Sequence, residues 1–424
     1  MHRGVLEMPT KSKAGARSTI GSNPERNRSH NRRVVLDVVR QLGPLGRMEI
    51  SRHAHLSTQA VSNIVEELVA DGLLIRTGRL RAGRGQPPIQ FAVNPDGGMT
   101  AGIEIAADHI STLLVDIGGR VRAQRTISLQ RNDPETVLPV IKAEIEAAQA
   151  QLKPFAPQLL GIGVVMPGPF NVEGMTSVGP TTLSGWLDFD AAASIGHMLG
   201  APVTIENDAT AAAVGERLHG AAKDLKNFCL IYFGHGLGLG IMIDGRPYRG
   251  ANGNAGEIGH VLVEKGGRLC SCGQHGCLEA YASIHALDEK LSQAGVQGLD
   301  YALLEQLHRE GHPVVEAWVR ETAGYLAPQV ATLENLFDPE AVVIGGALPP
   351  GLLEDLTQAM QPLPLSVARR RNRSEARLIH GRTGRLTAAL GAAALPVLEA
   401  MTPRLDTAHA AHREQSQEET SLVG

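Results

Sequence analysis

The chain has 424 residues, 43% hydrophobic, 20% charged and 3% aromatic, with four Cys; this excludes a disordered chain and a disulfide scaffold and leaves a globular protein of about two to four domains. The net charge of −4 hides an asymmetry, because residues 1–100 carry 15 Lys and Arg against 8 Asp and Glu, leaving 25 against 36 for the rest of the chain. No run of about eighteen apolar residues and no apolar signal core occurs, so a cytoplasmic protein without a membrane span is expected.

Residues 1–30 are polar, rich in Ser, Asn, Arg and Lys, and without apolar periodicity; they read as a disordered basic arm. A domain over 31–94 follows. Val35, Val38, Val39 and Leu42 fall on one face of a helix from about Asn31, stopped by Gly43-Pro44. A short helix is predicted over about Arg47–His53. Ser57 then caps a helix whose buried stripe is Val61, Ile64, Val65 and Leu68. Two strands, Leu73–Thr77 and Ile89–Val93, flank a cationic tip, Gly78–Pro87. The pattern is that of a winged helix-turn-helix. The second helix of such a unit lies in the major groove, which needs short polar side chains on its outer face. Thr58, Gln59, Ser62 and Asn63 supply them, Gln59 and Asn63 being suited to adenine, while Arg79, Arg81 and Arg84 on the wing suit phosphates or a narrow minor groove.

After the linker Asn94–Gly98, residues 95–400 alternate strands with helices. Strands are predicted at Ala101–Ala106, Ser111–Asp116, Val121–Ser128 and Gly161–Met166, with a helix over Pro134–Leu152. A comparable order returns at Asn227–Phe233, Gly238–Ile243, a helix near Val315–Phe337 and the strand Ala341–Ile344, and a helix is read over Glu279–Leu287. A duplicated α/β unit with a cleft between two lobes is the reading. Residues 401–424 read as a disordered tail.

The most specific motif joins His260 to Cys270, Cys272 and Cys277. Three thiols and an imidazole are the donor set of a closed, structural zinc, which organises a loop and leaves no open catalytic position. Cys229, in a strand pattern, reads as an inert core residue.

Taken with the Gly83–Pro87 wing, Ile205-Glu206-Asn207-Asp208-Ala209, Asn254–His260, Glu279 and the Gly345-Gly346 pair after Asp338-Pro339, these motifs resemble the ROK family (repressors, open reading frames, kinases), in particular its helix-turn-helix-bearing, sugar-responsive repressors. The resemblance covers about residues 31–400. It implies an actin-like, two-lobed domain of the ribonuclease H-like ATPase superfamily, with a sugar in the cleft, a zinc loop shaping the site, and a homodimer or homotetramer. It also implies that Asn207, Asp208, Glu257, His260 and Glu279 contact the sugar, a monosaccharide or amino sugar in free or phosphorylated form, and that the first partner is operator DNA. The residue types suit the task independently, since carboxylates, an amide and an imidazole pair directionally with hydroxyls.

A kinase of this family would add ATP and magnesium, with Asp208 as the base that takes the hydroxyl proton. The family's kinases carry Asp-x-Gly-Gly-Thr at the first strand turn. This chain has Glu104-Ile105-Ala106-Ala107-Asp108, with side chains where phosphate must approach and a carboxylate in place of a donor. Gly236, Gly238, Gly345 and Gly346 read as vestiges of the nucleotide site, and His235 stands where the kinases usually have Thr. Pro180–Trp186 lacks the Asn of the family's Pro-Asn-Leu segment. Sensing without catalysis is therefore expected, with the kinase as the alternative.

Overall fold

The computed structural model describes residues 24–401 apart from 80–88, 108, 130, 153–157, 169–182, 184, 187–188 and 369–374. Arg81, Arg84, Asp108, Pro180–Thr182, most of the expected basic arm and the C-terminal tail lie outside the described residues.

The N-terminal unit opens with α1 (Pro24–Leu42), which starts earlier than the expected Asn31. The strand β1 (Leu45–Gly46) leads into α2 (Arg47–Ala54), and α3 (Thr58–Ala70) follows. Ser57 Oγ accepts from the Ala60 N–H at 3.2 Å, the cap its sequence promised. Strands β2 (Leu74–Arg79) and β3 (Ile89–Val93) complete an antiparallel sheet in the order β1-β3-β2. Val35, Val39, Ile50, Val61, Val65, Leu68 and Phe91 close the core. That burial, at about 1.5–3 kcal/mol per large apolar side chain, is what holds so small a unit.

The rest of the chain folds as two lobes of one topology. In the first, β4 (Met99–Ile105), β5 (His109–Asp116), β6 (Val121–Ser128), β7 (Leu159–Met166) and β8 (Val203–Asn207) form a sheet of order β6-β5-β4-β7-β8. Helices α4 (Pro134–Gln151) and α5 (Ala191–Leu199) belong to this lobe. A further helix, α6 (Asp208–His219), follows β8 directly. In the second lobe, β9 (Phe228–Phe233), β10 (Leu237–Ile243) and β11 (Arg246–Pro247) lead through a long loop to α7 (Glu279–Ala282), α8 (Ile284–Gln293), α9 (Tyr301–Arg309) and α10 (Pro313–Phe337). Then come β12 (Ala341–Gly346), α11 (Pro350–Ala359), β13 (Leu378–His380) and α12 (Thr387–Met401), and the sheet order is β11-β10-β9-β12-β13. In both sheets the first three strands are antiparallel and the last two parallel. The expected duplication is thus present strand for strand.

Helices α6 and α12 lie between the two sheets. Their facing residues are small and buried: Ala211, Ala212, Ala213, Ala388, Ala389, Ala392 and Ala393. A Cβ at Gly391 would overlap the Ala211 carbonyl, so the two backbones meet directly. Buried Glu216 of α6 accepts from the N–H groups of Ala221, Arg382 and Thr383, fastening α6 to the turn that precedes α12. At its far end α6 places Arg217 and His219 beside α1. Burial, opposed by Asp37 and reinforced by Arg40, lowers the Arg217 pKa; burial, with Arg40 and Lys223, lowers that of His219. Helix α12 also touches α1.

One expected element is divided. The helix over Glu279–Leu287 is two helices, α7 and α8, because Ser283 adopts extended backbone (φ −97°, ψ 164°) and caps a new start by accepting from Ala286 N–H at 3.0 Å.

Candidate functional site

Between the lobes lies a cleft of about 360 Å3. Asn207, Asp208, Glu257, His260 and Glu279, scattered over 73 positions of sequence, all line it, with Gly236 and Gly238. The fold assembles them from three places. Asn207 ends β8 and caps α6, its Oδ1 accepting from Ala209 and Thr210 N–H at 3.0 and 3.3 Å. Asp208 is therefore held at a helix start, and its Oδ1 accepts from Ala209 N–H at 2.8 Å. Burial pushes the Asp208 carboxyl up to about 7, and the charges of Glu104, Glu257 and Glu279 add to the rise.

Glu257 and His260 lie on one helical turn, 4.0 Å apart between Oε2 and Nε2. Burial, then the nearby Glu279, raises the Glu257 pKa, while His260 opposes the rise. Glu279 opens α7 and accepts from Leu237 N–H at 3.0 Å, which pins the start of β10 to the cleft wall. Ser271, from the cysteine loop, donates to its other oxygen at 3.5 Å.

His260 and the three thiols of Cys270, Cys272 and Cys277 bring their donor atoms within 4.8 Å of one another. Cys270 Sγ is 3.7 Å from His260 Nδ1, and Cys272 Sγ is 3.6 Å from Cys277 Sγ. Burial raises the Cys270 thiol, yet hydrogen bonding with His260 and the Cys272 backbone outweighs it and leaves the thiol at about 7. Four converging soft-to-borderline donors fit a zinc ion. Cys229 stands apart, buried in β9, its thiol pushed up to about 12 by burial.

Two contacts that the sequence did not announce tie the lobes together beside Asp208. Buried Glu206 accepts from Asn207 N–H at 3.0 Å and from Arg249 Nε at 2.5 Å, so a cation after β11 steadies the end of β8. Tyr232 Oη, on β9, donates to buried Glu104 of β4 at 3.5 Å, and burial raises the tyrosine pKa strongly. Each partner is remote in sequence, and no motif marks the pairing.

Of the residues read from the sequence as a vestigial phosphate site, Ala106, Ala107 and His235 line the cleft. Gly345 and Gly346 do not line it, although Ala347 does. Gly346 has φ +115°, and a Cβ there would overlap the Phe233 carbonyl, so packing alone demands glycine. Trp186 is buried and donates from Nε1 to Asn132 O at 2.6 Å, as a wall of the first lobe.

On the N-terminal unit, Thr58, Gln59 and Asn63 are exposed and Ser62 half-buried on the outer face of α3, with Gln59 donating to Asn63 Oδ1 at 3.1 Å. Arg79 ends β2.

Comparison with known proteins places this geometry. The model of the ROK family matches residues 100–398. The xylose repressor of Bacillus subtilis (strain 168) is 30% identical over 319 residues, spanning 75% of this chain and 82% of that protein. Among solved structures, a ROK family transcriptional regulator, homolog of the E. coli MLC protein, superposes with TM-score 0.70 at 26% identity, covering 89% of this chain and 97% of its own. A ROK family glucokinase from Streptomyces griseus, in complex with glucose and AMPPNP, gives TM-score 0.59 at 27% identity, covering 70% of this chain and 99% of its own.

Proposed function

The chain belongs to the ROK family, and from that premise we propose that it is a sugar-responsive transcriptional repressor whose α1–α3 unit is a winged helix-turn-helix that binds operator DNA. The observation that carries the reading is the junction of two parts: a unit with an exposed polar helix face, and a two-lobed domain whose cleft gathers Asn207, Asp208, Glu257, His260 and Glu279. Sugar hydroxyls donate to the carboxylates and accept from Asn207 Nδ2 and from His260, Asn207 Oδ1 being taken by the Ala209 and Thr210 N–H groups. His260, Cys270, Cys272 and Cys277 would hold a structural zinc, which supplies rigidity to the loop carrying Glu257 and, through Ser271, to Glu279. On α3, Thr58, Gln59, Ser62 and Asn63 face the bases; Arg79, Arg81 and Arg84 serve the phosphates. A homodimer or homotetramer in the cytoplasm presents paired recognition helices to the two half-sites of an operator.

The sugar acts by binding the DNA-competent and DNA-incompetent states unequally, a tenfold differential being about 1.4 kcal/mol per site. The test selects operator fragments from a random duplex pool, then titrates sugars in a mobility-shift assay. Release of the duplex at micromolar to millimolar sugar is the expected result. Duplex binding that no sugar alters removes the reading. Salt must also weaken the complex steeply, because phosphate contacts displace counterions.

The second reading is an ATP-dependent hexose or N-acetylhexosamine kinase, favoured by one observation: burial pushes the Asp208 carboxyl up to about 7, suited to a general base. Against it stand Ala106 and Ala107 at the turn where nucleotide phosphates would lie. Sugar-dependent ADP release in a coupled assay at rates above about 1 per second would decide for the kinase.

A further inference from the structure

The residues proposed to contact the sugar come from both lobes, so their spacing depends on how the lobes are joined beside the cleft. Asn207 stands at the end of β8 in the first lobe, and Glu257 follows the loop after β11 in the second. The two side chains converge. A Cβ built at Gly168, just past β7, would come 2.7 Å from Asn207 Nδ2 and 3.4 Å from Glu257 Oε1. Because Asn207 Oδ1 is committed to the start of α6, its Nδ2 has little freedom of its own and follows the backbone that carries it.

That backbone is held by hydrogen bonds that begin in the other lobe. Glu206 is buried, and its two oxygens have different tasks: Oε1 accepts from Asn207 N–H at 3.0 Å, and Oε2 accepts from Arg249 Nε at 2.5 Å. Arg249 also acts in the opposite direction. Its carbonyl accepts from Ala255 N–H at 3.1 Å, which closes the loop two residues before Glu257. Gly256 O then accepts from Leu239 N–H at 2.9 Å, and with φ +103° a Cβ at Gly256 would overlap the Leu239 carbonyl, so that end of the loop is fixed on β10. The side chain of Arg249 thus reaches the backbone of one sugar contact, while its carbonyl shapes the loop that presents the other. Neither Arg249 nor Glu206 lines the cleft.

Exposure separates positioning from mere support. The Arg249 side chain is 40% exposed, so shortening it opens the pair to water, which can donate to Glu206 in its place at little cost to the folded state. Water does not hold the loop after β11 against the end of β8. The loss should therefore fall on the geometry of the cleft more than on stability.

We infer that Arg249, acting through Glu206, is a positioning residue of the sugar site: it fixes the reach between the Asn207 amide and the Glu257 carboxylate, and so selects the monosaccharide that spans them. The inference rests on the sugar-responsive reading above and deepens it by naming the residues that set the fit.

The test is calorimetric titration of the full, zinc-loaded chain with D-xylose, D-glucose and N-acetyl-D-glucosamine. For the sugar that the wild-type chain binds most tightly, Arg249→Gln should lower affinity by at least about tenfold. The lead of that sugar over the other two should narrow, while Tm moves by no more than about 3 °C. Glu206→Gln should lower affinity similarly, and the double variant should lose no more than the weaker-binding single variant, because one contact is cut twice. Unchanged affinity in both single variants, losses that add in the double variant, an equal loss for all three sugars, or a fall in Tm that accounts for the loss overturns the inference and leaves sugar sensing intact. Binding of none of the three sugars by the wild-type chain overturns both.

Discussion

The two lobes share a strand order, yet the turns at corresponding positions differ. In the first lobe, the turn between β4 and β5 carries Ala106 and Ala107 and is held by Ala106 N–H donating to His109 O at 2.9 Å and by Asn132 Nδ2 donating to Ala107 O at 3.1 Å, both partners within the same lobe. In the second, Gly234-His235-Gly236 is tied to what is docked on the lobe: His285 N–H donates to His235 O at 3.1 Å, and Leu237 N–H donates to Glu279 at 3.0 Å. The framework is duplicated, whereas three of the five proposed sugar contacts, Glu257, His260 and Glu279, come from elements that among the described residues only the second lobe has; Asn207 and Asp208 come from the end of β8 and the start of α6.

The sharpest way to break this asymmetry is to loosen the cysteine loop. Chelation, or Cys277→Ser, should weaken sugar binding by about 10–100-fold or more while duplex binding by α1–α3 persists, as calorimetry and mobility shift on the same sample will show. Next comes Asp208→Ala, at the seam between the lobes. Loss of hydrogen bonds to a charged acceptor costs about 1.5–3 kcal/mol, so sugar affinity should fall by at least tenfold with sugar-free duplex binding unchanged.

Acidity probes the same seam more gently. With its carboxyl at about 7, Asp208 passes from about one-tenth to about nine-tenths ionised between pH 6 and 8, so affinity for a hydroxyl-donating sugar should rise by up to tenfold over that range. For stability the sign is opposite. The folded pKa lies above the ordinary 3.8, so the folded state holds the extra proton, and this contribution is lost as pH rises through about 7. Asp208→Asn should flatten both profiles. The smallest effect tests what the lobes share. Gly391→Ala forces apart α6 and α12 and should cost about 1–3 kcal/mol, a fall of a few degrees in Tm by calorimetry.

Periodicity and spacing made much of this legible. Strands β4, β5, β6, β9 and β12 stand within two residues of where alternation and apolar runs place them. The four cysteine-loop donors carry a local signature, so their convergence could be read before any coordinates, whereas Asn207, Asp208, Glu257 and Glu279 were named for the cleft by the resemblance to the ROK family. Contacts between remote residues could not. Nothing in the neighbourhood of Glu206 points to Arg249, nor anything near Glu104 to Tyr232, because ion pairs and hydrogen bonds across a cleft are set by the fold alone. The division at Ser283 escaped because the residues on either side suit a helix, and only the hydroxyl's capping of Ala286 decides for two.

Helix α6 carries a practical corollary for engineering. Its twelve residues span about 18 Å, with Asn207 seated at one tip and, at the other, Arg217 within the electrostatic reach of Asp37 and Arg40 and His219 within that of Arg40. A chimera that exchanges the first ninety-odd residues for those of a relative inherits a foreign heel against that tip. Grafts that preserve Asp37 and Arg40 should keep the duplex and the saccharide in communication, and grafts that do not should yield two sound modules deaf to each other.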